Sequence, residues 1–487
     1  MRALEWLLIA FVLAGTLPPL AGCYQFILVG LHRFRAGKVA ADAEAFPRVA
    51  VIVPAWNEGA VIERTIERLL ALDYPRQCLR VYVVDDASTD ATATLARSKE
   101  AEHPGAVFHL RREDGGQGKS HTINHGLRTI AAEGWYEAVL VIDADVLFTR
   151  DSLRLMTRHF CNAEVGAVTA YIKEGSRPGN YLNRFVAFEY VTAQAAARRA
   201  QNVLGALACL AGGAQLIRRP ALEAIGGQID TETLAEDTVT TLNIQLGGRR
   251  VVFEPEAIVW AEEPRRLGGL WKQRVRWGRG NVQVTSRFRW VWLRGWRWGR
   301  LGSVSFALIW FTVTLMPVFM VASSVGLISL FLLESDLAAD AFRALWSINL
   351  VTYLFITLGS FAVDPQTARG AWREGLAFPG LISLAIIFYA VYPPLFGDTG
   401  IGPGEGAPAV LVLLVYAWLS ASMLAAWLVK RLEDWGHLPW LVSPLLYIVG
   451  YGPLLCAMTV AAYLKELRGA EMRWEKTEKS GRVGDLA

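Results

Sequence analysis

Three acidic clusters contain the residues best suited to chemistry. Pro54-Ala-Trp-Asn-Glu58, Asp85-Asp-Ala-Ser-Thr-Asp90 and Asp143-Ala-Asp145 each follow a short β-branched run. Asp143 and Asp145 stand two apart at the edge of an apolar strand pattern, where unpaired negative charge is costly. A divalent cation would resolve that cost: few, hard oxygen ligands suit Mg²⁺ or Mn²⁺ shared with nucleotide phosphates. Asp90 or Ser88 has a plainer use as the cap of the next helix. Farther on, Leu234-Ala-Glu-Asp-Thr238 opens a helical pattern. Glu236 and Asp237 there either favour the positive helix N-terminus or supply a general base for an attacking hydroxyl.

Two other stretches carry cations. Gly115-Gly-Gln-Gly-Lys-Ser120 resembles a phosphate-binding loop, but Glu113 stands where the first glycine of Gly-x-x-x-x-Gly-Lys-Ser/Thr belongs, which disfavours an ATPase loop. It is either a flexible turn or a place where amides and Lys119 approach a nucleotide. Arg265 to Arg300 holds eleven Lys or Arg, six Trp and no acid, a mixture that suits helices at a bilayer surface. This belt includes Gln273, Arg276 and Trp277.

The elements that must position these residues change character along the chain. Arg48–Val53, Leu79–Val84, Val107–Leu110 and Ala138–Ile142 read as strands. The helical patterns Ala60–Ala71, Ala91–Glu100 and Ser120–Ala132 alternate with them. Such βαβ alternation predicts a mainly parallel sheet with its ligand site beyond the strand carboxyl ends. Leu210–Arg219 reads as a tight loop entering a strand, and Val251–Glu254 with Ala257–Ala261 as the last two strands.

On either side the chain is apolar. The composition is 53% hydrophobic with a net charge of only +4, which places much of the chain in lipid and disfavours nucleic acid as a partner. Five cysteines without Cys-x-x-Cys spacing argue against a disulfide framework or a zinc site. Residues 1–35 read as one membrane helix kinked at Pro18-Pro19, and the basic cluster behind it puts the following domain in the cytoplasm. Residues 45–265 form that domain, 266–302 are amphipathic interfacial helices, and 303–465 hold about five apolar segments. Those segments are 303–333, 344–363, 376–397, 407–429 and 438–464, the third interrupted by Pro379, Pro393 and Pro394. If all five cross, the polar tail 466–487, entered past Lys465, Arg468 and Arg473, ends outside, against the positive-inside rule. No internal repeat or intramembrane charge pair suggests a transporter.

Five motifs occur here in the order found in membrane-integrated family 2 glycosyltransferases, the group of cellulose, poly-N-acetylglucosamine and hyaluronan synthases. They are Pro54-Ala-Trp-Asn-Glu, Val84-Asp-Asp-Ala-Ser-Thr-Asp, Asp143-Ala-Asp, Ala235-Glu-Asp and Gln273-Arg-Val-Arg-Trp. The resemblance implies an α/β domain of the GT-A type, inserted between transmembrane helices of the inner membrane, that inverts configuration using a UDP-sugar. It places Pro54, Glu58, Asp85, Asp86, Lys119, Asp143, Asp145 and Arg276 at the donor, with Asp143 and Asp145 on Mg²⁺ or Mn²⁺. It makes Asp237 the general base and puts Glu236, Gln273 and Trp277 at the acceptor. The implied partners are membrane lipids and a growing polysaccharide, with accessory subunits allowed; the alternative is a non-processive enzyme that glycosylates diacylglycerol or ceramide. The chain departs from the family at Ala235, where threonine is usual, and at Gln117, an inserted-looking residue before Gly118-Lys119.

Overall fold

A computed structural model describes residues 2–35, 45–177, 179–392, 409–436 and 438–472, with 481 and 483. The chain opens with helices α1 (Arg2–Ala14) and α2 (Leu17–Arg35). There follow β1 (Val49–Ala55), α3 (Ile62–Leu70), β2 (Leu79–Asp85), α4 (Thr92–Glu102), β3 (Val107–Arg111), α5 (Lys119–Glu133) and β4 (Ala138–Val141). Next are β5 (Val146–Phe148), α6 (Ser152–Thr157), β6 (Val165–Glu174), α7 (Tyr181–Glu189), α8 (Ala196–Leu204), β7 (Gln215–Arg218), α9 (Arg219–Ala224), α10 (Glu236–Leu246) and β8 (Arg250–Ala261). Helices α11 (Leu267–Arg287) and α12 (Gly295–Trp298) precede the apolar series α13 (Val304–Thr314), α14 (Met316–Leu332), α15 (Leu337–Val363), α16 (Pro365–Leu376), α17 (Leu381–Val391), α18 (Ala409–Trp435), α19 (Pro439–Val449) and α20 (Tyr451–Leu467).

Contacts divide the chain into two compact units. One comprises Leu28–Arg265, Gly280–Ala307 and Glu471–Ala487; the other comprises Met1–Ile27, Arg266–Arg279 and Leu308–Ala470. The first is α/β. Its eight strands lie in the order β3-β2-β1-β4-β7-β6-β8-β5, with β1 to β4 parallel. β1 sits centrally and is apolar and buried along its whole length, as a strand covered on both faces must be. β7 runs antiparallel to both β4 and β6, and the short β5 pairs antiparallel with β8, Val146 opposite Ala261. The sheet is therefore mixed, which the alternation of patterns did not reveal. The two strands expected between 251 and 261 are a single β8, whose pairing with β6 shifts register between Ala170 and Tyr171. A proline at 255 removes one ladder donor, and an irregularity of this kind accommodates it.

The other unit is helical. Two described helices, α15 and α18, are long and apolar enough to cross a bilayer alone; counting each of four bent pairs as one span raises the number to six. The N-terminal bend of 47° falls between Ala14 and Leu17, before the prolines expected to cause it. Pro18 and Pro19 instead occupy the first turn of α2, where a missing N–H costs nothing. The run 303–333 breaks by 73° before Pro317, and 438–464 by 98° at Gly450, whose φ of 108° suits only glycine. Arg369 and Arg373 lie on α16, and α17 covers only part of the run 376–397; Pro393, Pro394 and Arg473 fall outside the described residues. A β-carbon on Gly326 would come within 2.7 Å of the Leu8 carbonyl, so α1 and α14 meet at backbone contact, as membrane helices with small residues do. Leu8, Val12, Leu330, Phe342, Leu345 and Tyr416 form the core of this unit.

At the end of β6, burial pushes the Glu174 carboxyl up to about 7, and the charge of Glu263 adds to the effect. The folded state then keeps a proton that the unfolded chain loses near 4.5, so stability falls as pH rises from about 4.5 to 7, by roughly 3 kcal/mol at most. Glu174→Gln is expected to flatten that slope in apparent melting temperature measured across this range.

Candidate active site

In the sheet β2, β1 and β4 are neighbours, so their carboxyl ends bring the three acidic clusters together. Pro54 is buried inside β1 opposite Val84, and Ala55 lies opposite Asp85. The turn after β1 is tied to the turn after β2. The Asn57 amide donates to Ser88 Oγ (2.9 Å), that of Glu58 to Thr92 Oγ1 (2.7 Å) and that of Gly59 to Asp90 Oδ2 (2.9 Å). Asp90 also accepts from the Thr92 amide at 2.9 Å, but the cap position of α4 is Ala91, so neither Asp90 nor Ser88 is the helix cap expected.

Asp85 has no exposed surface; it accepts from the Ser88 amide at 2.9 Å and from Arg111 at 2.7 Å. Burial acts to raise its pKa, but the His109 ring 3.6 Å away, the hydrogen bonds from Ser88 and the charge of Arg111 outweigh it, and the carboxyl titrates below its usual range. Asp86 is paired with Arg112 and accepts from the Gly116 amide at 2.9 Å, while Arg112 also donates to Gln117 at 2.7 Å. The glycine segment is thus folded against the acidic turn rather than left as a flexible loop. A β-carbon on Gly115 would lie 2.5 Å from the Asp86 carbonyl, so no larger residue fits there. Arg111 and Arg112 were missed from sequence, although both stand at the carboxyl end of a strand, the position that marks ligand residues.

Lys119 is the first residue of α5. Its ammonium lies 2.5 Å from Asp143 Oδ1 and 3.7 Å from Glu236 Oε1, and donates to the Gly212 carbonyl at 3.2 Å. Burial alone would lower its pKa, but the charges of Asp143, Glu236 and Asp237 outweigh this and raise it, so the group stays a cation. Asp237 sits beside Glu236 in the first turn of α10 and accepts from the Thr238 amide at 2.7 Å. A β-carbon on Gly212 would lie 3.3 Å from both Asp237 Oδ2 and Lys119 Nζ, so the Gly212-Gly213 turn keeps this corner open. Cys209, also unforeseen, lies beside Asp237 and Thr238 with its thiol pushed up by burial.

Asp143 has 38% of its side chain exposed, and Asp145 is half-buried. Among the described residues no three His, Cys, Asp or Glu side chains gather to hold a metal. Two carboxylates alone fit an oxygen-seeking cation that keeps waters and takes phosphate oxygens, not one saturated by protein.

Gln273, Arg276 and Trp277 belong to the helical unit, on α11. There Gln273 and Arg274 are buried, Arg276 and Trp277 half-buried. The Arg274 guanidinium lies 4.1 Å from the centre of the Trp277 ring and donates to Gln273 Oε1 at 2.6 Å.

Residues 47–280 match the family described as "Glycosyltransferase like family 2". This segment is a family 2 glycosyltransferase domain. Its sheet is of the GT-A type, and with the apolar helices it makes the chain a membrane protein with the fold class expected from sequence. Two curated relatives are poly-beta-1,6-N-acetyl-D-glucosamine synthases. That of Staphylococcus epidermidis is 27% identical over 268 residues (55% of this chain, 62% of the relative), and that of Staphylococcus aureus strain COL is 30% identical over 240 residues (49% and 56%). The alignments thus span little more than half the length of these relatives. Among solved structures, a mannosyltransferase from Pyrobaculum calidifontis in complex with GDP-Man and Mn2+ is 23% identical, covering 74% of this chain and 99% of its own, at a TM-score of 0.49.

Lys119→Met leaves the neighbouring carboxylates without their cation and removes a charged donor. The variant is expected to melt at a lower temperature in thermal denaturation, because removing the cation leaves this charge cluster uncompensated.

Proposed function

We propose that this protein is an inverting, UDP-sugar-dependent glycosyltransferase that elongates a β-linked polysaccharide at the membrane, with UDP-N-acetylglucosamine as the leading donor. The observation that carries this reading is the grouping of Lys119, Asp143, Glu236 and Asp237 at one end of the glycosyltransferase sheet. Glycosyl transfer with a diphosphate leaving group needs a cation at the diphosphate and a base at the attacking hydroxyl. The names of the poly-N-acetylglucosamine synthases support polymer and sugar.

In this reading the Asp86–Arg112 pair and the glycine turn shape the nucleotide end, with Asp85 bracing the turn from below and Glu58 on the facing loop. Asp143 and Asp145 would hold a Mg²⁺ or Mn²⁺ ion, which when bound supplies positive charge to the leaving diphosphate. Lys119 adds a fixed cation at the same corner. Asp237 accepts the proton of the acceptor hydroxyl. Gln273, Arg276 and Trp277 take the roles implied by the resemblance: Arg276 toward the diphosphate, Gln273 and Trp277 toward the acceptor, with Glu236. The cytoplasmic orientation of the catalytic domain belongs to the same proposal.

A second reading, transfer of one sugar to a lipid, would use the open apolar groove of about 370 Å³ in the helical unit, lined by Phe11, Val318, Val325, Val460 and Tyr463. A groove of that size suits a lipid chain.

Asp237→Asn is expected to lower sugar transfer by at least about a hundredfold while leaving UDP affinity nearly unchanged. Transfer at the normal rate would remove Asp237 from the base role. Trp277→Ala is expected to impair transfer more than hydrolysis of the UDP-sugar, because a stacking plane serves the acceptor. Equal loss of both, compared by UDP release and product label, would move Trp277 out of the acceptor site.

A further inference from the structure

Two carboxylates in the helical unit stand at the unfavourable end of their own helices. Glu433 lies in the last turn of α18 and Glu466 in the last turn of α20, where the helix dipole disfavours negative charge. Each is used by α11 instead. The Glu433 carboxylate accepts from the Leu267 amide at 3.0 Å and the Gly268 amide at 2.8 Å, so it satisfies two of the unpaired N–H groups in the first turn of α11. The same end of α18 reaches α11 again through Lys430, which pairs with Asp434 and lies 5.8 Å from the centre of the Trp271 ring.

Two residues beyond Trp277, the second carboxylate closes on the helix. Glu466 pairs with the Arg279 guanidinium, which is buried and also donates to the Ala470 carbonyl at 2.6 Å. Between the two ends α11 and α20 pack closely: a β-carbon on Gly278 would stand 2.8 Å from that of Ala462. The segment Leu267–Arg279 is therefore held at its start by a charge on backbone amides and at its end by a buried ion pair.

We propose that Glu433 and Glu466 are positioning residues, clamps at the ends of α18 and α20 that fix the axial position and rotation of the helix bearing Gln273, Arg276 and Trp277. The proposal rests on the reading of Gln273 and Trp277 as acceptor-site residues and of Arg276 as a diphosphate contact. A carboxylate on the first amides sets where α11 begins. The Arg279 pair then sets how it is turned, which one anchor could not do. Small displacements of reacting groups are expensive in turnover.

The test uses the full chain in lipid nanodiscs, with UDP-N-acetylglucosamine as the donor probe, and combines kinetics with hydrogen–deuterium exchange over residues 267–279. Glu433→Ala and Glu466→Gln are each expected to accelerate exchange in this segment and to lower kcat by about tenfold. The charge swap Arg279→Glu with Glu466→Arg should recover both exchange protection and most of kcat, a recovery that loss of general packing would not show. If Glu433→Ala does not fold, Glu433→Gln, which keeps an acceptor oxygen but loses the charge, should shift both readouts in the same direction by less. Unchanged exchange, faster exchange with unchanged kcat, or a swap that recovers neither would overturn the proposal. Trp277→Ala measured alongside separates the two claims: normal transfer by that variant would defeat the acceptor reading, while exchange would still report on the clamps.

Discussion

One buried ammonium group, that of Lys119, must neutralise a corner where Asp143, Glu236 and Asp237 gather. Three carboxylates facing one corner repel one another, and without a cation among them their charge would be left uncompensated. The surrounding structure follows from that requirement. α5 begins with a cation at its positive end, locally unfavourable and tolerated only because acids face it. Gly118, at φ 108°, lets the chain enter that helix, and Gly212 and Gly213 leave the space that side chains would fill. The parallel order of β2, β1 and β4 brings the participating loops to one end of the sheet.

The helical unit meets a different constraint. Without water to drive apolar association, its helices meet through glycine and serine; Ser323 Oγ donates to the Val12 carbonyl at 2.9 Å beside the Gly326 contact. Its broken helices expose backbone carbonyls that need donors, and Tyr463 supplies one to Thr314 next to the bend between α13 and α14. Charge is spent sparingly there, which makes the two clamps on α11 the more noticeable.

Much of this was legible in the sequence, for identifiable reasons. β1 to β4 and the helices between them announce themselves because period-2 and period-3.6 patterns alternate, and their strand ends carry the carboxylates. The antiparallel insertion of β7 was not legible, since pairing partners leave no mark on a four-residue apolar strand. β8 read as two strands because Pro255 looks like a terminator until a register shift absorbs it. Hydropathy found the apolar runs but not their bends, because a window average does not register a glycine at positive φ or a proline entering a new first turn. In the site, Asp143, Asp145 and Asp237 stood out as acids at strand or helix ends. Arg112 did not, because a single arginine after a strand carries no pattern until its carboxylate partner is known. Cys209 is hidden for the same reason.

The account depends most directly on what the purified chain does with a labelled donor. Protein in lipid nanodiscs with Mn²⁺ or Mg²⁺ and radiolabelled UDP-N-acetylglucosamine should release UDP and place the label in high-molecular-weight, lipid-free product, and Asp237→Asn should abolish that label. Label confined to a lipid-extractable glycolipid would contradict the polymer reading and favour the groove in the helical unit as an acyl site. Absence of transfer from this and a panel of other UDP-sugars would contradict the assignment of the Lys119 corner as a transfer site.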